Sequence, residues 1–203
     1  MSQAGGLLAD AVAPIGYAVR GGALADDLRT YKSDRGQAAE TLAAAARLGE
    51  LLAGFLAEHA DSVWAAAGMG DGPSAVAVVP SGQGRPGDHP VVGLVRSCVA
   101  LPLVRLSIVP GEIHTRGVNP GWLRVADPVG GADVLVVDDT WVSGGSAQST
   151  AAALKLAGAR RVAVVVLGRH VNPADPRSAD LAAAAKNSPR AVPWTATASS
   201  WRQ

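Results

Sequence analysis

Residues 133–146, DVLVVDDTWVSGGS, decide the fold. Asp133 to Val137 is a short run without polar alternation and rich in Val. Such a run reads as a strand buried on both faces, the pattern of a parallel sheet. Two carboxylates, Asp138 and Asp139, end the run, and a turn containing Gly144 and Gly145 follows. Ser146 to Ala157 then reads as a helix that Gly158 closes as a C-terminal cap. Strand, turn and helix in this order make half of a βαβ unit.

Working outward, three more runs have the same character: AVAVV at 75–79, LVRLS at 103–107 and RVAVVVL at 161–167. A helix is expected over Pro90 to Ala100, between the first two. Strands that alternate with helices in this way imply an α/β fold with an open, mostly parallel sheet. Upstream, Leu42, Ala45, Leu48, Leu52, Phe55 and Leu56 recur at three-to-four spacing, so Gln37 to Ala60 is expected to be one amphipathic helix covering a face of the sheet. Asp34 and Gln37 supply a start signal for it. GMGDGP at 68–73 is a turn-rich lead into the first strand. Two stretches read as irregular: Val109 to Gly131, and the tail from Asn172 onward, which holds an Ala-rich helical segment near 179–186. The expectation is a single domain over 1–203, with an N-terminal hood and helix (1–70), an α/β core (71–170) and a tail (171–203).

Composition narrows the function. The chain has 203 residues, 48% hydrophobic and 17% charged, which suits a folded globular domain and not a disordered one. A net charge of +1 gives no broad cationic field for a nucleic-acid backbone. No apolar run approaches the roughly 20 residues needed to cross a bilayer, so no membrane role is expected. The N-terminal MSQAGGLLADAVAP lacks a basic residue before its apolar patch and carries Asp10, unlike a secretory signal. A lone cysteine, Cys98, in an apolar helical setting reads as a structural thiol. The chain is therefore expected in the cytoplasm. His89, His114 and His170 lack metal-ligand spacing, and His59 is expected to interact with the last carbonyls of its helix. Arg160 and Arg161 read as surface charges.

The chemistry concentrates after the strand. Ionised carboxylates at Asp138 and Asp139 offer acceptor oxygens to a vicinal diol. The turn Thr140 to Ser146 lets backbone N–H groups approach an anion at Gly144 and Gly145, Ser143 and Ser146 add hydroxyls, and the helix that follows contributes its positive end. A diol and a phosphate held side by side describe a ribose phosphate.

These residues resemble the signature of type I phosphoribosyltransferases: VLVV, then DD, then TWVSGGS before a helix. Other segments are similar to the ComF-like branch of that family: IGYAVRGGALADDLRTYKSD, with Tyr17, Gly21, Leu28 and Lys32; AVAVVPSGQGRPGDHP, with Arg85; IHTRGVNPGWLRV, with Arg116, Asn119 and Trp122; and GARRVAVVVLGR. The cysteine-rich module that often precedes the branch is absent, and RPGDHP stands where the branch has an Arg-Gly-Phe-Asn stretch. The resemblance implies transfer from phosphoribosyl pyrophosphate to a nitrogen acceptor with release of pyrophosphate. It assigns Asp138 and Asp139 to the ribose hydroxyls and to catalysis, and Thr140, Val142, Ser143, Gly144, Gly145 and Ser146 to the 5-phosphate. Pyrophosphate falls to Ser81, Gly82, Gly84 and Arg85. A closing loop includes Glu112, His114, Arg116 and Asn119, and Asp138, Asp139 and Glu112 are the candidates for a general base. Mg2+ is implied mainly through the ligand, with Asp138 and Asp139 as protein donors. The resemblance also implies pairing of two copies as a homodimer. Two other classes are open on the same residues: a non-enzymatic sensor or regulator that binds a phosphoribosyl compound or nucleotide, and a related hydrolase or phosphatase-like enzyme acting on ribose phosphates. Trp122, Trp141, Trp194 and Trp201 are equally suited to stacking on a base and to burial.

Overall fold

A computed structural model describes residues 6–33, 38–81, 89–110 and 117–187. Its centre is a five-stranded, wholly parallel sheet in the order β1-β7-β6-β2-β3, formed by β1 (Ala11–Val19), β2 (Ala75–Val78), β3 (Leu103–Val104), β6 (Asp133–Trp141) and β7 (Arg161–Val171). The α/β class and the parallel sheet expected from the Val-rich runs are what the chain forms. Val134 to Val137 and Val162 to Leu167 are at most 1% exposed, the burial on both faces that unalternating runs require.

Helices cover both faces. On one lie α1 (Ala23–Thr30), α2 (Ala38–Ala67) and α3 (Pro90–Cys98), whose Leu28, Leu48, Leu52, Phe55, Val91 and Val95 share a core with Leu135, Val137, Val165 and Leu167. On the other lies α4 (Gly145–Leu156), with Ala147, Ala151 and Leu154 against Val134, Val136, Val162 and Val164. Val134 and Val136 thus serve one core and Leu135 and Val137 the other, as the period of two demands. The helix α5 (Ala179–Asn187) follows β7 and packs on β1.

Several expectations are corrected. No strand was expected at 11–19 within the hood, yet β1 joins the main sheet along β7, because Ala11, Ala13 and Ile15 fill one core and Val12 the other. The long helix runs to Ala67, well past Ala60, since Val63 and Ala67 continue its buried stripe. His59 therefore lies inside the helix, its ring 5.1 Å from that of Phe55, and not at the terminal carbonyls. Leu42, taken for the apolar face, is 70% exposed because the buried stripe starts at Ala44. The stretch 109–131 is not irregular throughout. β4 (Leu106–Ile108) pairs antiparallel with β5 (Leu123–Val125), and the expected strand at 103–107 is split between β3 and this hairpin. Asp34 and Gln37, the start signal of the long helix, lie outside the described residues.

Two features place the site. The chain leaves β2 through α3 toward β3 and leaves β6 through α4 toward β7, in opposite directions and on opposite faces. The boundary between β2 and β6 is therefore the topological switch point, where open α/β sheets form their crevice. The edge is also stepped: β2 ends at Val78 opposite Val137, while β6 runs on to Trp141 and β7 to Val171. Asp138 and Asp139 stand in that step.

Candidate functional site

Asp139 is buried, 5% exposed, on the side of α1 and α3. Its Oδ2 accepts a 2.5 Å hydrogen bond from the hydroxyl of Tyr31, pairs with Lys32 Nζ, and lies 3.6 Å from His89 Nε2. Burial alone would raise the Asp139 pKa. The Lys32 charge and hydrogen bond, the Tyr31 hydrogen bond and His89 outweigh it and hold the carboxyl below its usual range. Tyr31 and Lys32 sit just past α1, which approaches the sheet closely because Gly16 and Gly168 have no side chain. A Cβ on Gly16 would lie 2.9 Å from Leu24 Cδ2, and one on Gly168 2.5 Å from Leu28 Cδ1.

Asp138, the preceding residue of the strand, is directed to the side of α4 and is half-buried. Its Oδ1 accepts from the N–H of Asp139 at 2.8 Å. Burial first, and then the neighbouring Asp139 charge, push its pKa up to about 8.

Trp141 is buried and Val142, 71% exposed, projects from the turn. Gly144 adopts φ +78°, the left-handed conformation that glycine alone takes without strain, and caps α4 without any side-chain hydrogen bond. The Ser143 hydroxyl accepts from Gly145 N at 3.4 Å. The N-terminus of the 12-residue helix α4 thus follows the strand that carries Asp138 and Asp139.

Across the switch point, Pro80 and Ser81 follow β2, and His89 opens α3 by accepting from Val91 N through Nδ1 (3.2 Å). Gly82, Gly84 and Arg85 of the pyrophosphate-loop candidate lie outside the described residues, as do Glu112, His114 and Arg116 of the closing-loop candidate and Trp194 and Trp201. Asn119 is described, and its side chain serves the backbone: Oδ1 accepts from Gly121 N at 3.0 Å at the start of a short turn. Its own N–H donates to Ser149 Oγ at 2.8 Å, one turn into α4. Trp122 of the same turn is buried against Ala153. The hairpin that carries the closing-loop candidate is therefore rooted on α4 beside the turn.

Residue patterns alone do not single out Tyr31 and Lys32, and Lys32 was marked only through the family likeness. His89 had a local signal, its place just before Pro90 at a helix start. Arg160, read as a surface charge, forms a two-pronged pair with buried Asp133 (Nε 2.9 Å, Nη2 2.5 Å) at the opposite edge of the sheet. A cleft of about 780 Å³ lined by Trp64, Met69 and Leu101 also lies away from the switch point, beside the chain entering β2. Among the described residues no cluster of three His, Cys, Asp or Glu is built to hold a metal, and no helix is long and apolar enough to cross a membrane.

No protein-family model and no curated protein matches the chain. Among solved structures it is similar to a phosphoribosylpyrophosphate synthetase from Mycobacterium smegmatis, at 23% identity over 64% of this chain and 36% of that one, with a TM-score of 0.37. A hypoxanthine phosphoribosyltransferase from Staphylococcus aureus gives 14% identity over 66% of each chain and a TM-score of 0.39. Orotate phosphoribosyltransferase from Mycobacterium tuberculosis, solved with 5-phospho-α-D-ribosyl 1-diphosphate, gives 18% identity over 82% of this chain and 89% of that one, with a TM-score of 0.39. The chain spans about a third of the length of the synthetase.

Proposed function

We propose that the protein is a type I phosphoribosyltransferase of the ComF-like branch, acting in the cytoplasm as a homodimer. It transfers a phosphoribosyl group from phosphoribosyl pyrophosphate to a nitrogen acceptor and releases pyrophosphate. One observation carries this reading: an acidic strand end and a glycine turn opening a helix stand together at the topological switch point of a parallel sheet. In this reading the turn Thr140 to Ser146 and the first N–H groups of α4 hold the 5-phosphate, and a carboxylate at the end of β6 accepts from the ribose hydroxyls. The loop after β2, from Ser81 through Arg85, faces the pyrophosphate. Glu112, His114, Arg116 and Asn119 of the closing-loop candidate exclude water, which would otherwise consume the donor.

Mg2+ fits this donor set. Magnesium keeps several waters and uses one or two carboxylates beside phosphate oxygens, so a strand-end carboxylate with the ligand's own oxygens suffices without an all-protein cage. When bound it would neutralise charge on the leaving pyrophosphate.

Calorimetric titration with phosphoribosyl pyrophosphate, with and without Mg2+, followed by a pyrophosphate-release screen over nucleobases and amines, tests the reading. Magnesium-dependent binding with release for one acceptor is the expected result. The absence of binding overturns it. A second reading, a non-enzymatic binder of a phosphoribosyl compound, draws on one observation: Asp139 is already engaged by Tyr31 and Lys32. Tight binding with no release for any acceptor would establish that one.

A further inference from the structure

The two adjacent aspartates of β6, Asp138 and Asp139, differ in burial and in hydrogen-bond partners. We propose that Asp139 is an internal anchor that fixes the end of α1 and the start of α3 at the switch point, with His89 as a positioning residue acting through it, and that Asp138 alone of the pair meets the ligand. The last clause rests on the phosphoribosyl reading; the anchor does not.

Three elements far apart in sequence converge on one oxygen. Asp139 Oδ2 receives the Tyr31 hydroxyl at 2.5 Å and pairs with Lys32 Nζ, both just past α1, and faces His89 Nε2 at 3.6 Å. Lys32 Nζ also lies 5.6 Å from the centre of the Tyr31 ring, so the two donors support each other. His89 is held from its other side: Nδ1 accepts from Val91 N at 3.2 Å. A neutral imidazole that accepts at Nδ1 carries its proton on Nε2, the nitrogen directed at Asp139. One nitrogen of His89 therefore caps α3 while the other faces Asp139 across 3.6 Å. With its Oδ2 surrounded by a hydroxyl, an ammonium and an imidazole, and with only 5% of its surface exposed, Asp139 is built into the protein's own framework. Asp138 faces the other way, toward the side of α4, and is more exposed.

The test is a double-mutant cycle of Lys32→Met and Asp139→Asn read by urea unfolding, alongside calorimetry with phosphoribosyl pyrophosphate in Mg2+. Each single substitution lowers the urea midpoint, because it strands one member of a largely buried pair. The double variant recovers most of that loss and still binds, its affinity lowered no further than His89→Asn lowers it. Asp138→Asn keeps at least the wild-type midpoint and weakens binding by about tenfold or more, the scale of a lost hydrogen bond to a charged group. His89→Asn retains a cap acceptor for Val91 N–H but does not reach Asp139; it keeps the midpoint and loses affinity. Additive effects of Lys32→Met and Asp139→Asn overturn the anchor. A stable double variant that does not bind places Asp139 on the ligand and overturns the division of roles. Unchanged affinity in His89→Asn removes the positioning role. If the wild type binds no phosphoribosyl pyrophosphate, the functional reading falls, and the division of roles with it, while the urea cycle still decides the anchor. Long-range 1H–15N correlation of His89 decides it as well where Asp139→Asn does not fold: a proton on Nδ1 in the wild type overturns the geometry.

Discussion

The ring of Trp141 fills the space in which a side chain on Gly144 would start: a Cβ there would lie 2.1 Å from Trp141 Cζ2. Gly144 also sits at φ +78°. Gly144→Ala therefore combines a left-handed strain of about 1–2 kcal/mol with overpacking of about 1–3 kcal/mol, and is expected to lower unfolding stability by roughly 2–5 kcal/mol. Adding Trp141→Leu should return the overpacking part. A Gly144→Ala protein with the wild-type urea midpoint would show that the ring does not lie under the turn. Lost ligand binding in a Gly144 variant consequently says nothing about phosphate approach by itself.

The pH dependence of stability follows from Asp138. Its folded pKa, about 8, lies above the value of 3.8 for an unperturbed aspartate, because burial and the Asp139 charge disfavour ionisation. Its contribution is thus fully present below about pH 4 and is lost as pH rises through about 8, since the native state binds more protons across that window. Asp139 is shifted the other way and stays ionised in both states over this range, so it adds no slope. In metal-free buffer the Tm of Asp138→Asn should therefore gain on that of the wild type between pH 5 and pH 8. A Tm difference independent of pH would contradict the burial of the Asp138 carboxyl.

The fold was legible wherever burial leaves a compositional trace. Val134 to Val137 and Val162 to Leu167 carry no alternation because both of their faces are covered, and the parallel sheet follows from that. β1 was missed because its Pro14 and Gly16 weaken the strand pattern that Ala11 to Ile15 would otherwise show. The glycine turn was legible for a local reason, the left-handed backbone at Gly144. Tyr31 and His89 were not legible as partners of Asp139, because 108 residues separate Tyr31 from it and only the folded sheet brings them together. No periodicity in a single chain encodes such a convergence.

Arg160 offers a test remote from the site. It holds Asp133, 3% exposed, with two hydrogen bonds, yet is itself largely in solvent. Arg160→Met leaves a buried carboxylate short of its donors and should cost about 1–3 kcal/mol, below the cost of breaking a fully buried pair. Because the pair lies at the opposite edge of the sheet, affinity for any ligand at the switch point should not change. A ligand-binding defect in Arg160→Met without a loss of urea stability would contradict this placement.

The approach of α1 to the sheet depends on Gly168. A Cβ there would lie 2.5 Å from Leu28 Cδ1 and 2.9 Å from the Cβ of Ala18. The new methyl would press on Leu28 of α1 and on Ala18 of β1, whose Cβ cannot rotate aside, so Gly168→Ala should crowd both elements and cost about 1–3 kcal/mol through overpacking. Leu28→Ala alone removes a buried side chain and should cost about 2–5 kcal/mol. Combined, the two should cost less than their sum, because Leu28→Ala vacates part of the space that the new methyl enters. Since Tyr31 and Lys32 follow α1 directly, Gly168→Ala should also weaken the coupling between Lys32 and Asp139 in a urea-unfolding cycle. Strict additivity of Gly168→Ala and Leu28→Ala, with the Lys32 to Asp139 coupling intact, would mean that α1 is held away from β7 and that Gly168 does not set its distance.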